Sequence, residues 1–126
     1  MPLARIELRA GKPADYRAAI GDVVYTALVD VLGVPTDDRF QVIAEHTADG
    51  LIYDPAYLGI NRTDDVVLIQ IVLNEGRTVE QKQAFYAAVT TGIHDRVGLR
   101  LEDVFINLIE VKKENWSFGN GVAQYA

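Results

Sequence analysis

Removal of Met1 would leave Pro2 at the head of the chain and give it a secondary amine where every other residue carries an amide. Such an amine can act as a base when neutral, as an acid when protonated, or as a nucleophile that forms an iminium with a carbonyl. With Met1 in place the Pro2 nitrogen is a tertiary amide with no proton and no basic lone pair, and it is chemically silent. Many chains begin Met-Pro without chemical purpose, so this dipeptide gains meaning only from what surrounds it.

Other catalytic equipment is sparse. There is no cysteine, which excludes a thiolate nucleophile, a disulfide frame and a zinc site built on sulfur. The two imidazoles are His46 and His94. His46 falls at the end of an expected strand and reads as structural, while His94 reads as helix surface or interface. No metal cluster, phosphate loop or Ser-His-Asp arrangement stands out.

A chain of 126 residues is one domain, long enough to bury a single core. The formal charge of -6 argues against nucleic acid or an anionic membrane as partner, since neither gains counterion release from an acidic protein. There is no basic amino-terminal segment followed by an apolar run, and nowhere about eighteen apolar residues in succession. A soluble cytoplasmic protein is the expectation.

Shifted by 65 positions, the sequence falls onto itself without a gap. Leu3 meets Leu68, Ile6 meets Ile71, Gly11 meets Gly76, Thr26 meets Thr91, Gly33 meets Gly98, Asp38 meets Asp103 and Phe40 meets Phe105. One register held over so many positions indicates a tandem duplication, with repeats at about 2–46 and 67–111.

Each repeat reads as strand, helix, strand. Residues near 3–8 and 66–73 are short aliphatic runs closed by Gly11 or Gly76. The first helix opens behind Pro13 and carries Tyr16, Ile20, Val24, Leu28 and Val31 at helical spacing until Gly33 ends it. The second opens on a Thr78/Gln81 capping-box pattern, carries Phe85, Val89, Ile93 and Val97, and stops at Gly98. Closing strands are expected near 39–46 and 104–111. A parallel pair from each repeat gives an α/β (α+β) fold, with one four-stranded sheet and two helices on one face. The other face keeps apolar residues such as Leu3 and Leu68 with no helix left to cover them, so a second copy in a closed symmetric oligomer is expected there. The connector, 47–65, is too apolar for a disordered linker and should pack down. The tail, 112–126, could form a hairpin arm that reaches a neighbouring subunit.

An amino-terminal proline, duplicated strand-helix-strand units and an uncovered sheet face together resemble the tautomerase superfamily, and within it the malonate semialdehyde decarboxylase branch. The matching stretches are Pro2-Leu3, Val34-Pro35-Thr36-Asp37-Asp38-Arg39-Phe40-Gln41, Gly76-Arg77-Thr78 with Glu80-Gln81-Lys82, and Asn115-Trp116-Ser117-Phe118-Gly119. The resemblance implies a homotrimer, a site around each Pro2, and decarboxylation of malonate semialdehyde or a similar 3-oxo acid without cofactor or metal. One departure is visible. That branch carries two arginines separated by one residue after the third strand, where this chain has Asn74-Glu75-Gly76-Arg77.

Roles follow from the resemblance. Asp38 would pair with the Pro2 amine, although by its position alone it could merely end a turn, as its repeat mate Asp103 could. Arg77 would clamp the carboxylate of a small carbonyl substrate, although its mate Lys12 shows that a plain surface cation is tolerated in this position. Trp116 and Phe118 would wall that carboxylate from water, or serve as core or interface packing. Arg39 would be a second anion contact across a subunit boundary, or a salt-bridge partner of another residue. Arg62 and Tyr125 are weaker candidates of the same kinds. Competing functions are enol-keto tautomerisation of a 2-oxo acid, hydration of an unsaturated acid, and an oligomeric binding protein that has kept the fold without the chemistry.

Overall fold

Alternation along Leu3–Arg9 (β1) decides which side of the sheet faces inward. Ala4, Ile6 and Leu8 are buried, whereas Arg5 is exposed and Leu3, Glu7 and Arg9 are half-buried. The computed structural model describes every residue from Met1 to Ala126. In it β1 is followed by the helix Ala14–Leu32 (α1) and the strand Gln41–His46 (β2), and the pattern repeats as Val67–Asn74 (β3), Val79–Val97 (α2) and Val104–Val111 (β4). The strand order is β2-β1-β3-β4. β1 runs parallel to β2 and β3 parallel to β4, while β1 and β3 meet antiparallel with Leu3 opposite Val72. The duplication expected from the sequence is thus present as two β-α-β units in one mixed sheet.

The helix ends follow their sequence signals. Pro13 stands at the N-cap of α1, and Thr78 and Gln81 form the reciprocal capping box of α2. Gly33 and Gly98 close the helices with φ of 72° and 74°, a left-handed conformation that side-chain-bearing residues resist. Ile20, Val24 and Leu28 of α1 and Phe85, Val89 and Ile93 of α2 pack with Ile6, Ile69 and Ile71 of the sheet in one core. Burial stabilises each of these side chains by roughly 1.5–3 kcal/mol. No helix is long and apolar enough to cross a membrane.

No helix covers the opposite face of the sheet. Leu68 and Val72 are half-buried there, and Val42, Phe105 and Ile109 are exposed. The connector is tied down near Leu51 and again at Thr63, and part of what lies between is exposed. Leu51 is buried and its carbonyl accepts from the Arg9 guanidinium, but Ile52, Tyr57 and Leu58 stand out in solvent. The tail forms no strand and hence no hairpin. After a single 3-10 turn at Lys113–Asn115 it bends through Gly119, Asn120 and Gly121, all with positive φ.

Asp103, the repeat mate of Asp38, is fully buried and fully satisfied. Its two oxygens accept from the Thr63 N–H at 2.7 Å and the Thr63 hydroxyl at 2.6 Å, and Arg100 lies 3.8 Å away. It ties the end of the connector to the start of β4. Asp103→Ala is expected to cost about 1–3 kcal/mol, because it leaves the half-buried N–H and hydroxyl of Thr63 without their acceptor, measurable as a lower urea midpoint at unchanged slope.

Candidate active site

The antiparallel β1/β3 pairing places the start of β1 beside the end of β3. Continuing the Leu3/Val72 register brings Met1 level with Asn74. The parallel neighbours add the rest: the loop before β2 supplies Asp38, and the chain leaving β4 supplies the tail. One end of the sheet therefore gathers Pro2, Asp38, Asn74, Arg77 and Trp116.

Asp38 is held by the turn in which its N–H donates to the Pro35 carbonyl. The residue is 5% exposed, and neither carboxylate oxygen has a hydrogen-bond partner. Its nearest cation is the Met1 ammonium at 3.9 Å, beyond hydrogen-bonding distance. Burial pushes the Asp38 carboxyl above the ordinary range, the Met1 ammonium pulls it back, and Asp37 adds to the rise. For the Met1 amine burial is again the largest influence and lowers its pKa. Asp38 raises it, and the charges of Arg77 and Lys113 lower it further. Both partners are thus pushed towards their neutral forms by burial and towards their charged forms by each other. Burial, the largest influence on each, lowers the amine and raises the carboxyl, and so draws the two pKa values towards each other.

Arg77 is half-buried, with Nη1 donating to the Asn74 carbonyl and Nη2 to the Leu32 carbonyl, both at 3.1 Å. These bonds fix the guanidinium at the end of β3, where its charge lowers the pKa of the Met1 amine. Asn74 is 8% exposed, and its Oδ1 accepts from Trp116 Nε1 at 2.8 Å. Trp116 stacks on Phe118 with ring centroids 5.3 Å apart, and Phe118 meets the edge of Tyr125 at 5.2 Å. Pro2, Leu3, Phe40, Trp116, Ser117 and Phe118 line a cavity of about 220 Å³.

The other candidates lie elsewhere. Arg39 donates to Asp22 at 2.8 Å and sits over the Tyr25 ring, so within one chain it faces α1 and does not line the cavity. Arg62 is taken up by the carbonyls of Asp54, Tyr57 and Ile60. His46 pairs with Glu7 at 2.7 Å, and His94 Nδ1 bonds the Leu99 carbonyl. A larger cavity, about 370 Å³, occupies the opposite end of the sheet among Arg9, Lys12, Tyr16, Asp64 and Asp65. Its cations are already paired, Arg9 with Asp64 and Lys12 with Asp65. Nothing there has the unpartnered character of Asp38. Sequence reasoning missed Asn74 and Lys113 as parts of the site. The one available signal was Trp116, whose indole N–H requires an acceptor when it leaves water.

A family model described as tautomerase enzyme matches residues 38–119, and a second with the same description matches residues 2–61. The chain is 40% identical, over 98% of each chain, to a Bacillus subtilis (strain 168) protein described as probable tautomerase YusQ. It is similar to the solved structure of FG41 malonate semialdehyde decarboxylase inhibited by 3-bromopropiolate, at 41% identity and a TM-score of 0.90, covering 98% of this chain and 93% of that one. A second malonate semialdehyde decarboxylase structure, described in terms of decarboxylase and hydratase activities, is 31% identical with a TM-score of 0.90, covering 98% and 95%.

Proposed function

The chain belongs to the tautomerase family, and from that premise we propose that it decarboxylates malonate semialdehyde or a similar 3-oxo acid through the amine of Pro2, freed by removal of Met1. The observation that carries this reading is the buried, unpartnered carboxylate of Asp38 at the head of the chain. A carboxylate left so costly to the fold has a use when a cationic or proton-sharing amine stands beside it. The likeness to two malonate semialdehyde decarboxylases supports the choice of substrate.

In this reading Arg77 receives the substrate carboxylate, and the Trp116/Phe118 wall keeps water from solvating it, which raises the ground state relative to a transition state whose charge is dispersing. Two routes share the remaining steps. Protonated Pro2 can donate to the aldehyde oxygen. The C1–C2 electron pair then flows into the carbonyl as CO2 leaves, Pro2 gives its proton to the enolate oxygen, and the enol ketonises. Neutral Pro2 can instead add to the aldehyde carbon and expel water. The iminium then accepts the electron pair, the resulting enamine takes a proton at C2, and water releases acetaldehyde. Either route consumes one proton and yields CO2 and acetaldehyde. Asp38 holds the proton on the amine in the first and accepts it from the amine in the second.

A second reading has its own observation. Burial lowers the pKa of the Met1 amine beside Asp38, and a Pro2 amine freed into the same surroundings and likewise held neutral would suit the base of an enol-keto tautomerase acting on a 2-oxo acid. That reading agrees with the name given to the 40%-identical relative. We also propose a homo-oligomer, a trimer on the resemblance, seated on the apolar sheet face of Leu68, Val72, Phe105 and Ile109.

The deciding test is a proton NMR time course of malonate semialdehyde with protein whose intact mass shows Met1 absent. Acetaldehyde formed well above the spontaneous rate supports the decarboxylase. A blank-like rate together with fast ketonisation of enol-phenylpyruvate would move the assignment to the tautomerase.

A further inference from the structure

Beyond Val111 the tail makes a single hydrogen bond to the rest of the chain, from Trp116 Nε1 to Asn74 Oδ1 at 2.8 Å. Its remaining bonds are its own. Phe118 N–H donates to Gln124 Oε1, Gln124 Nε2 donates to the Gly119 carbonyl, and Trp116 N–H donates to the Lys113 carbonyl. No ion pair joins the tail to the sheet. The aromatic wall is therefore a unit, ordered internally by the Trp116/Phe118 stack and the Gln124 bonds, and moored at one point.

That point is singular in chemistry as well as in number. An indole N–H can only donate, so Asn74 must turn its oxygen towards Trp116 and its NH2 away. Asn74 is one of three buried polar or charged residues in the chain, with Asp38 and Asp103. Its main-chain carbonyl accepts from Arg77 Nη1, so one residue at the end of β3 holds both the tail and the guanidinium. Its repeat mate Arg9 instead grips the Leu51 carbonyl of the connector, and Leu51 is the mate of Trp116. Both repeats thus moor the segment that follows their last strand from the end of their neighbouring strand, the first with an arginine and the second with an amide.

We propose that Asn74 is the positioning residue of the aromatic wall, acting on the reaction through Trp116 by holding the indole against the cavity that Pro2 and Phe40 line. As a role in catalysis this rests on the active-site reading above; as a structural role it does not.

Trp116 is the only tryptophan, so intrinsic fluorescence reports on the moored group alone. Asn74→Leu keeps the volume and removes the acceptor, and its Trp116 emission is expected to shift to the red with at least about twofold greater acrylamide quenching. Asn74→Asp keeps an acceptor and is expected to retain the wild-type emission. Turnover is read as a cycle with Trp116→Phe. Asn74→Leu is expected to lower kcat/KM about tenfold in the wild-type background, the scale of one lost hydrogen bond. In the Trp116→Phe background it should change it by less than about twofold. Unchanged emission in Asn74→Leu would overturn the proposal, as would the same tenfold loss in both backgrounds. If no activity is found with any substrate, the functional reading fails while the emission and quenching comparison still decides the mooring.

Discussion

Asp38→Asn is expected to melt about 5 °C higher than the parent chain while losing about a hundred- to ten-thousand-fold in turnover. The two effects come from the same atoms. Both carboxylate oxygens are buried with no hydrogen bond, and an unpartnered buried polar group costs roughly 1–3 kcal/mol. The neutral amide removes the charged part of that cost. The pH dependence follows from the raised carboxyl. Between the ordinary carboxylate value and the raised one, the folded state keeps a proton that the unfolded chain has released. Stability therefore falls as pH rises through this window, and the full loss is present above it. The advantage of Asp38→Asn should be absent at pH 3, grow upwards from there, and level off once the folded-state carboxyl has ionised. Melting curves from pH 3 to 8 check this; a variant that melts lower than the parent at pH 7 would mean that Asp38 is a structural carboxylate like Asp103.

Protein that retains Met1 is expected to show no turnover, and Met1-free Pro2→Ala to lose about three orders of magnitude in kcat. In the first case the Pro2 nitrogen is an amide, and the Met1 ammonium takes the place beside Asp38. In the second a primary amine replaces a secondary one. It still titrates, which leaves a residual acid-base activity, but it is less basic and is not held by a ring. Treating the Met1-retaining form with a methionine aminopeptidase should restore activity in step with the loss of the residue's mass. Measurable activity that is equal before and after trimming would remove Pro2 from the chemistry, and no activity in either form would favour the binding-protein reading.

Much of the fold was legible because the chain states it twice. Each strand and helix in one half has a mate 65 residues on, and the capping box at Thr78 with the glycines at 33 and 98 mark the helix ends from local chemistry alone. The opening of β2 was less legible. It begins at Gln41 and not near 39, because Arg39 is drawn to Asp22 and the Tyr25 ring on α1, a tertiary preference that no local pattern carries. The site was legible where its residues lie in the matching segments, and illegible where its meaning depends on contacts. Asp38 and Asp103 occupy equivalent positions, yet one is orphaned and the other saturated. The difference is Thr63, which sits in the connector outside the repeat. In sequence the eye falls on Glu75, separated by one residue from Arg77, where the second arginine of the resembling branch would be; the anchor in structure is its neighbour Asn74.

The sheet is open, and its outer strand β4 is an edge of eight residues, Val-Phe-Ile-Asn-Leu-Ile-Glu-Val, with one charge and no proline. Phe105 and Ile109 on it are exposed. Long, weakly charged edges of this kind are templates for cross-β stacking. In a copy separated from the proposed oligomer, this edge would stand open to pair with the edge of another chain, so covering it would guard against fibrils as well as complete the sheet face.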